Sequence, residues 1–588
     1  MTSLGVLTLD KTGRSHEEQL EKVQKICDDL LRKNPADPYV LCAQGFINFQ
    51  LGQREEAEAC MEKASILAPG SSEIAYSYGL MLMAEKKFAV ALPIMQRVVA
   101  LKPDHAKAYH CIGLALKETG DLAGALVALD KALEVNPQDT DVLNDKGNAL
   151  KDMGRLPEAV ACYEQALILK PGDHFFINNL GVVRFLQNDL DGAEALYQMA
   201  LAIQPEYSEA LSNLSIIRRL KGDLDGAILY CQKALDLCLD SPETLNNFGN
   251  ALKDAKRLEE AVETYKKAVR LRPDDGEYHL NLSMALLALG RFDEGWREYE
   301  WRWKSKQLSP AFMAFAQPEW RGEAGEGRTL LIHAEQGFGD TLQFCRYAPL
   351  VKERGLRVIM AVPVPLKRLI QSLDGVEEVV TGGDVLAHFD LHCPMMSLPF
   401  VFHTTVETIP AKLPYLSPDS ADVALWRDRV AALADDSLKV GLFWAGGLRA
   451  SSPDLIATDR KRSVAPEIMA PLMDVPGVQF FSLQKLGTRC PDAFHLIDWM
   501  ADCHDFADTA ALIMNMDLVI GVDTAVAHLA GALGKPVWLL NRFNSCWRWL
   551  VERDDSPWYP GTLRLFCQKK MDDWNDVVMR VRDALAQR

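Results

Sequence analysis

A step of 34 residues governs the first half of the chain. Pro35, Pro69, Pro103, Pro137, Pro171, Pro205 and Pro273 keep that step, with Leu239 in the one gap. A small residue repeats at the same interval: Gly45, Gly79, Gly113, Gly147, Gly181, Ser215, Gly249 and Ser283. So does the series Ala57, Ala91, Ala125, Ala159, Ala193, Ala227, Ala261 and Gly295. A fixed period of this length marks a stacked array, in which each unit buries its apolar face on its neighbours. Each unit has room for two amphipathic helices. A Gly or Ala at their crossing lets the backbones approach, and proline after the second helix stops it.

These landmarks resemble the tetratricopeptide repeat very closely. Eight repeats are expected over residues 38–309, with residues 1–37 supplying a lone capping helix. The architecture presents a concave groove lined by the first helix of each pair. Two residues before the small residue, the series reads Ala43, Ser77, Cys111, Asp145, Asn179, Asn213, Asn247 and Asn281. Recurrence at the repeat interval should stack Asp145 and the four asparagines along the inner face. An asparagine amide offers both a donor and an acceptor, so such a row can bond an extended peptide backbone whatever its sequence. Repeats four and seven add Asn148, Lys151, Asp152 and Asn250, Lys253, Asp254 nearby. The row resembles the asparagine ladder of the nucleocytoplasmic O-linked N-acetylglucosamine transferases, which holds protein substrates. The competing reading is that these asparagines only bond neighbouring helices.

With 588 residues the chain is too long for one core. Its formal charge of −17 makes it a poor partner for nucleic acid or an anionic membrane, which need clustered Lys and Arg. The first residues lack a basic start followed by an apolar run, and no stretch of about 18 apolar residues could span a bilayer. The 13 cysteines are scattered without a C-x-x-C pair, as reduced thiols of a cytoplasm would be. Cys503 beside His504 is an isolated fragment of a metal site, short of the ligand number that zinc needs.

Residues 296–303, WREYEWRW, close the array. They read as packing against whatever follows. Residues 310–327 carry the prolines and glycines of a linker. After Arg328 the pattern changes to short apolar runs alternating with helical segments, the mark of doubly wound α/β lobes. One lobe is expected over 328–430 and a second over 431–588. In the first, the run TLLIHA is followed by Glu335-Gln-Gly-Phe-Gly-Asp340 and a helix. Gly337 and Gly339 permit a tight turn close to a ligand. Asp340 is then either a cap of the helix N-terminus or a general base for an acceptor hydroxyl. His333, inside the strand, is an alternative base, although a lone strand histidine is more often structural.

The second lobe opens at Lys439–Gly447, followed by the basic cluster Arg460, Lys461 and Arg462. Its most legible segment runs from Asp517 to Leu540. There a buried strand, LVIGV, delivers Asp523 and Thr524 to the start of a small-residue helix. The free N–H groups near Thr524, Ala525 and Val526 would suit a diphosphate. His528 lies one turn further on.

Residues 328–588 resemble the bacterial heptosyltransferase-like glycosyltransferases, which have the GT-B fold of two Rossmann-like lobes. The fusion resembles the bacterial subfamily that joins such a transferase to tetratricopeptide repeats, some members of which glycosylate flagellin. The resemblance implies Asp340 as catalytic base and Asp523, Thr524, Ala525 and His528 as the donor-binding turn. It adds Trp444, Gly446, one of Arg460, Lys461 and Arg462, and Gln484 with Lys485 near the nucleoside. Ala525 departs from the glycine common in heptosyltransferases, and the insertion at 448–459 is unlike them. The function implied is transfer of a sugar from a nucleotide-sugar, without metal or other cofactor, to Ser or Thr of a protein acceptor. Flagellin as acceptor and a CMP-linked nonulosonic acid as donor are suggested by the resemblance alone. An enzyme of glycan or lipopolysaccharide-precursor synthesis, or a scaffold carrying a decayed transferase, are the alternatives.

Overall fold

The computed structural model describes residues 13–305, 308, 313–433, 436–447, 453–485 and 491–588. Its compact units divide at Pro205/Glu206. The first contains the helix Gly13–Lys33 and five helix pairs, from Pro38–Gln50 with Arg54–Leu67 to His174–Leu186 with Leu190–Ile203. One helix therefore precedes the first pair, and the pairs follow the period. Aspartates start many of these helices. The Asp37 carboxylate accepts from the Tyr39 and Val40 amides, and Asp121 and Asp189 accept from Gly124 and Gly192.

The repeating small residue has a steric cause. A Cβ on Gly181 would sit 2.6 Å from the Tyr197 ring of the paired helix. In the second unit a Cβ on Gly249 would sit 2.5 Å from Tyr265. Where the small residue is Ser215, the facing residue is the smaller Cys231, whose thiol lies 3.1 Å from the Ser215 hydroxyl. The pairs thus conserve volume across the crossing.

The second unit holds three further helix pairs: Ser208–Leu220 with Leu224–Leu237, Pro242–Asp254 with Leu258–Leu271, and Gly276–Ala288 with Phe292–Tyr299. These pack in one body with two parallel sheets. The first sheet contains β1 (Thr329–His333), β2 (Arg357–Ala361), β3 (Glu378–Val380) and β4 (Leu391–Pro394), in the order β3-β2-β1-β4. The second contains β5 (Leu438–Phe443), β6 (Val478–Ser482), β7 (Leu518–Val522), β8 (Val537–Asn541) and β9 (Leu563–Cys567), in the order β6-β5-β7-β8-β9. The strands β1 and β7 are buried along their whole length, which is why they read as unbroken apolar runs. The helix Ser420–Ala431 sets Trp426 5.7 Å from Trp499 between ring centroids and pairs Arg429 with Asp502, so it packs on the second lobe although all but its last residue falls within the span expected for the first.

The aromatic end of the array is the seal between repeats and lobes. Trp296 meets Trp547 at 5.2 Å and Phe344 at 6.1 Å between ring centroids, and Phe292 meets Trp558 at 6.1 Å. Arg302, fully buried, places its guanidinium on Glu335 (3.1 and 3.2 Å), Glu300 (2.7 Å) and the Ser397 hydroxyl (2.8 Å). Burial of this cation is offset by hydrogen bonds around its planar fork. Of the expected linker, 310–312 lie outside the described residues. No helix among the described residues is long and apolar enough to cross a membrane.

Candidate active site

In a doubly wound sheet, ligands bind beyond the carboxyl ends of the strands, where strand order reverses. In the second lobe that reversal lies between β5 and β7. The chain leaves β5 through Trp444–Gly447 and leaves β7 through Asp523 and Thr524. Both exits open into a cleft of about 2360 Å³. The opposite wall is the turn Glu335–Asp340 at the end of β1. Gly339 makes this closeness possible: a Cβ there would lie 3.1 Å from the His528 ring and 3.5 Å from the Ala525 Cα.

Asp340 occupies the first turn of the helix Phe338–Phe344, where its Oδ2 accepts from the Gly337 amide at 3.0 Å. The capping role is therefore real. Its other oxygen faces the second lobe and pairs with Arg548. Arg548 also donates to the Gln343 Oε1 at 2.9 Å, and its guanidinium lies 4.3 Å from the Trp547 ring centre. Burial would lower the Arg548 pKa, but the Asp340 carboxylate holds it above its usual value. Sequence reasoning missed Arg548. The only signal was an arginine between two tryptophans, Trp547 and Trp549, in a segment without a motif.

Thr524 is the N-cap of the helix Ala525–Ala532, in extended conformation, and it makes no side-chain cap bond. The first amides of that helix line the cleft with Asp523 and His528. His528 is packed as well as cleft-lining. Its Nδ1 lies 2.8 Å from the Tyr559 hydroxyl, its ring stacks on Trp549, and its Nε2 is 3.9 Å from Asp523 Oδ1. Burial pushes its pKa down to about 4 against the opposing pull of Asp523, so the ring is neutral near pH 7.

The three basic candidates separate in space, because they end the helix Pro453–Arg462 and point in different directions. Arg462 lies against Gly446, where an added Cβ would come within 2.5 Å of its guanidinium, and its Nη1 is 3.5 Å from the Asp523 carbonyl oxygen. Lys461 lines the cleft further out, 3.5 Å from the Arg219 carbonyl oxygen. Arg460 is exposed. Of the insertion at 448–459, residues 448–452 lie outside the described residues.

Other expected residues sit differently. The Trp444 indole is buried in the core below the cleft, so only the backbone at that position reaches the strand end. Gln484 lines the cleft, yet its amide clamps the β5 exit: Oε1 accepts from the Trp444 and Ala445 amides at 2.9 Å each, and Nε2 donates to the Ala445 carbonyl. Lys485 is bonded to the Met500 and Cys503 carbonyls. His333 is buried against Phe315 and His392, away from the cleft, with its pKa driven down to about 3 by burial. Cys503 and His504 belong to no cluster of three metal-ligating side chains among the described residues.

The asparagine row is bonded across repeats. Asn179 donates to Asn144 at 2.8 Å, Asn247 to the Ser212 hydroxyl at 3.0 Å, and Asn281 to Asn246 at 2.9 Å, while Asp145 pairs with His110. Asn213 lies on Ser208–Leu220. Each of these bonds joins a residue to one 35 positions earlier, so the row ties helix to helix. Among the described residues no donor reaches the side-chain Oδ1 of Asn247 or Asn281, and both residues line the cleft that holds Asp340 and Asp523.

The fold and site define a class: a helical-repeat array whose last three repeats share a cleft with a pair of parallel α/β lobes. The comparisons give that class its families. Tetratricopeptide-repeat profiles match residues 47–106, 112–174, 144–208 and 178–242, and a second one matches 249–290. The profile of glycosyltransferase family 9 (heptosyltransferase) matches residues 503–540, which include the Asp523–His528 turn. Protein FlbA of Caulobacter vibrioides is 30% identical over 333 residues, covering 51% of this chain and 53% of that protein. The chain thus spans about half the length of this curated relative. Among solved structures, a tetratricopeptide-repeat protein of Parabacteroides merdae covers 42% of the chain and 99% of its own, at 13% identity and TM-score 0.40. The repeat protein TTC0263 of Thermus thermophilus covers 31% and 99%, at 22% identity and TM-score 0.29. The chain joins tetratricopeptide repeats to a region with a heptosyltransferase-family match.

Proposed function

We propose that the chain is a glycosyltransferase of the GT-B type that moves a sugar from a nucleotide-sugar to Ser or Thr hydroxyls of a protein held by its repeats. The observation that carries the reading is the single cleft in which Asp340 faces the Asp523–His528 turn across the two lobes. The family match over 503–540 supports the donor side.

The donor phosphates rest on the amides at the start of Ala525–Ala532, with Arg462 beside them. These groups stabilise the charge that develops as the bond between the anomeric carbon and the phosphate oxygen breaks. Protein cations and helix amides do the work that a divalent ion does elsewhere. The acceptor oxygen forms the new bond to the anomeric carbon and its proton passes to Asp340. Arg548 and the Gly337 amide each engage one Asp340 oxygen, which fixes the carboxylate while leaving further lone pairs for the incoming hydroxyl. Neutral His528 braces Asp523 and the turn and adds no charge to the site.

Acceptor delivery rests on the side-chain Oδ1 atoms of Asn247 and Asn281, two residues that line the same cleft. A peptide donating its backbone N–H groups there brings its hydroxyls to Asp340 at high effective concentration. A flagellin-like acceptor and a cytoplasmic site of action belong to this reading. The test is a donor screen scored by nucleotide release, with and without candidate acceptor proteins, together with Asp340→Ala. Loss of transfer with retained acceptor binding is expected. Undiminished transfer rules Asp340 out, and nucleotide release that depends on a glycan rather than a protein replaces the protein acceptor with a glycan.

A further inference from the structure

The helix Pro453–Arg462 is held from two sides. Toward the lobe, Asp459 is buried and pairs with Arg462 at 2.9 Å, and the Thr458 carbonyl oxygen lies 3.4 Å from Arg542. Toward the repeats, Lys461 enters a polar pocket between Ser208–Leu220 and Pro242–Asp254. There Arg219 pairs with the buried Asp254 carboxylate at 3.1 Å, and the Lys461 ammonium lies 3.5 Å from the Arg219 carbonyl oxygen. Lys461 and Arg462 are adjacent, so on a helix their side chains diverge by about 100°. Fixing one aims the other.

We infer that Lys461 is a positioning residue: with Arg219 and Asp254 of the repeats it pins the last turn of Pro453–Arg462, and so sets Arg462 against Gly446 and Asp523. This rests on the donor reading above. The repeats then complete the donor subsite as well as receiving the acceptor. The groups around the ammonium act together on its charge. Burial lowers its pKa, Asp254 and Asp572 oppose that, and Arg219 and Arg542 add to it. The clip therefore joins a hydrogen bond to the Arg219 carbonyl with the longer-range attraction of Asp254, in a half-buried pocket.

The test uses the full chain and inorganic pyrophosphate, which carries the diphosphate charge without base or sugar. Lys461→Met and Asp254→Asn should each weaken binding about tenfold, the scale on which residues that act through a neighbour modulate a site. The double variant should bind about as well as either single one, because both remove the same clip. Lys461→Arg should recover most of the affinity. Arg462→Ala is the reference and should weaken binding at least as much. If Arg462→Ala weakens binding while Lys461→Met and Asp254→Asn do not, or act additively, the clip is overturned and the donor reading stands. If Arg462→Ala changes nothing, the donor reading falls and the clip falls with it.

Discussion

Arg548 of the second lobe grips Asp340 of the first, so the carboxylate proposed as catalytic base is oriented by a cation from across the cleft. The pair has a direct consequence. Arg548→Lys keeps the charge but loses the planar fork that reaches Asp340 and Gln343 together. Turnover should fall about 10²-fold, as when one preorganised donor is removed. Asp340→Asn should fall at least as far, with acceptor binding in pull-down unchanged. Steady-state rates of nucleotide release check both.

Acid should unfold the second lobe partly through His528. An unfolded imidazole takes its proton near 6.5, whereas the buried ring resists protonation down to about 4. Between these values the unfolded chain binds more protons, so stability is full above about pH 6.5 and is lost as pH falls toward 4. The shift corresponds to about 3 kcal/mol. Thermal melts of wild type and His528→Asn between pH 7 and 4 should show a shallower acid slope in the variant.

Arg368 on the first-lobe helix Lys367–Ile370 reaches Asp505 and Asp508, which start the second-lobe helix Phe506–Ile513, and also Asp422. The cluster is partly exposed, so salt should screen it. Arg368→Ala should raise the donor KM several-fold at low salt, on the scale of partly exposed charge networks. The difference from wild type should shrink at about 0.5 M salt, where the Debye length is only a few ångströms.

Gly249→Ser places a side chain 2.5 Å from the Tyr265 ring, in a crossing without room for it. A destabilisation of about 1–3 kcal/mol is expected from such overpacking. Ser215→Gly, opposite the smaller Cys231, should cost less. Melting temperatures of the two variants decide the comparison.

Asn247→Ala with Asn281→Ala should weaken acceptor binding and leave pyrophosphate affinity unchanged, since both residues lie on the groove side of the cleft. Equal loss of both ligands would make the row purely structural.

The sequence by itself determined the repeats, the strands β1 and β7, and the turns that follow them. Those features are local: a 34-residue step, apolar runs, and turns after β1 and β7 need no distant partner to be read. The period showed where Gly249 must be small, and the Asp523–Thr524 turn announced a helix N-terminus. It could not choose among Arg460, Lys461 and Arg462, because three adjacent cations on a helix differ only in direction, and direction is set by what packs around them. Tertiary structure alone aimed Arg462 at Asp523 and Lys461 at Arg219, drew Trp444 into the core, and brought Arg548 some 208 positions along the chain to Asp340. A contact of that separation leaves no periodicity in a sequence, since it is fixed by how two lobes close and not by the residues beside it.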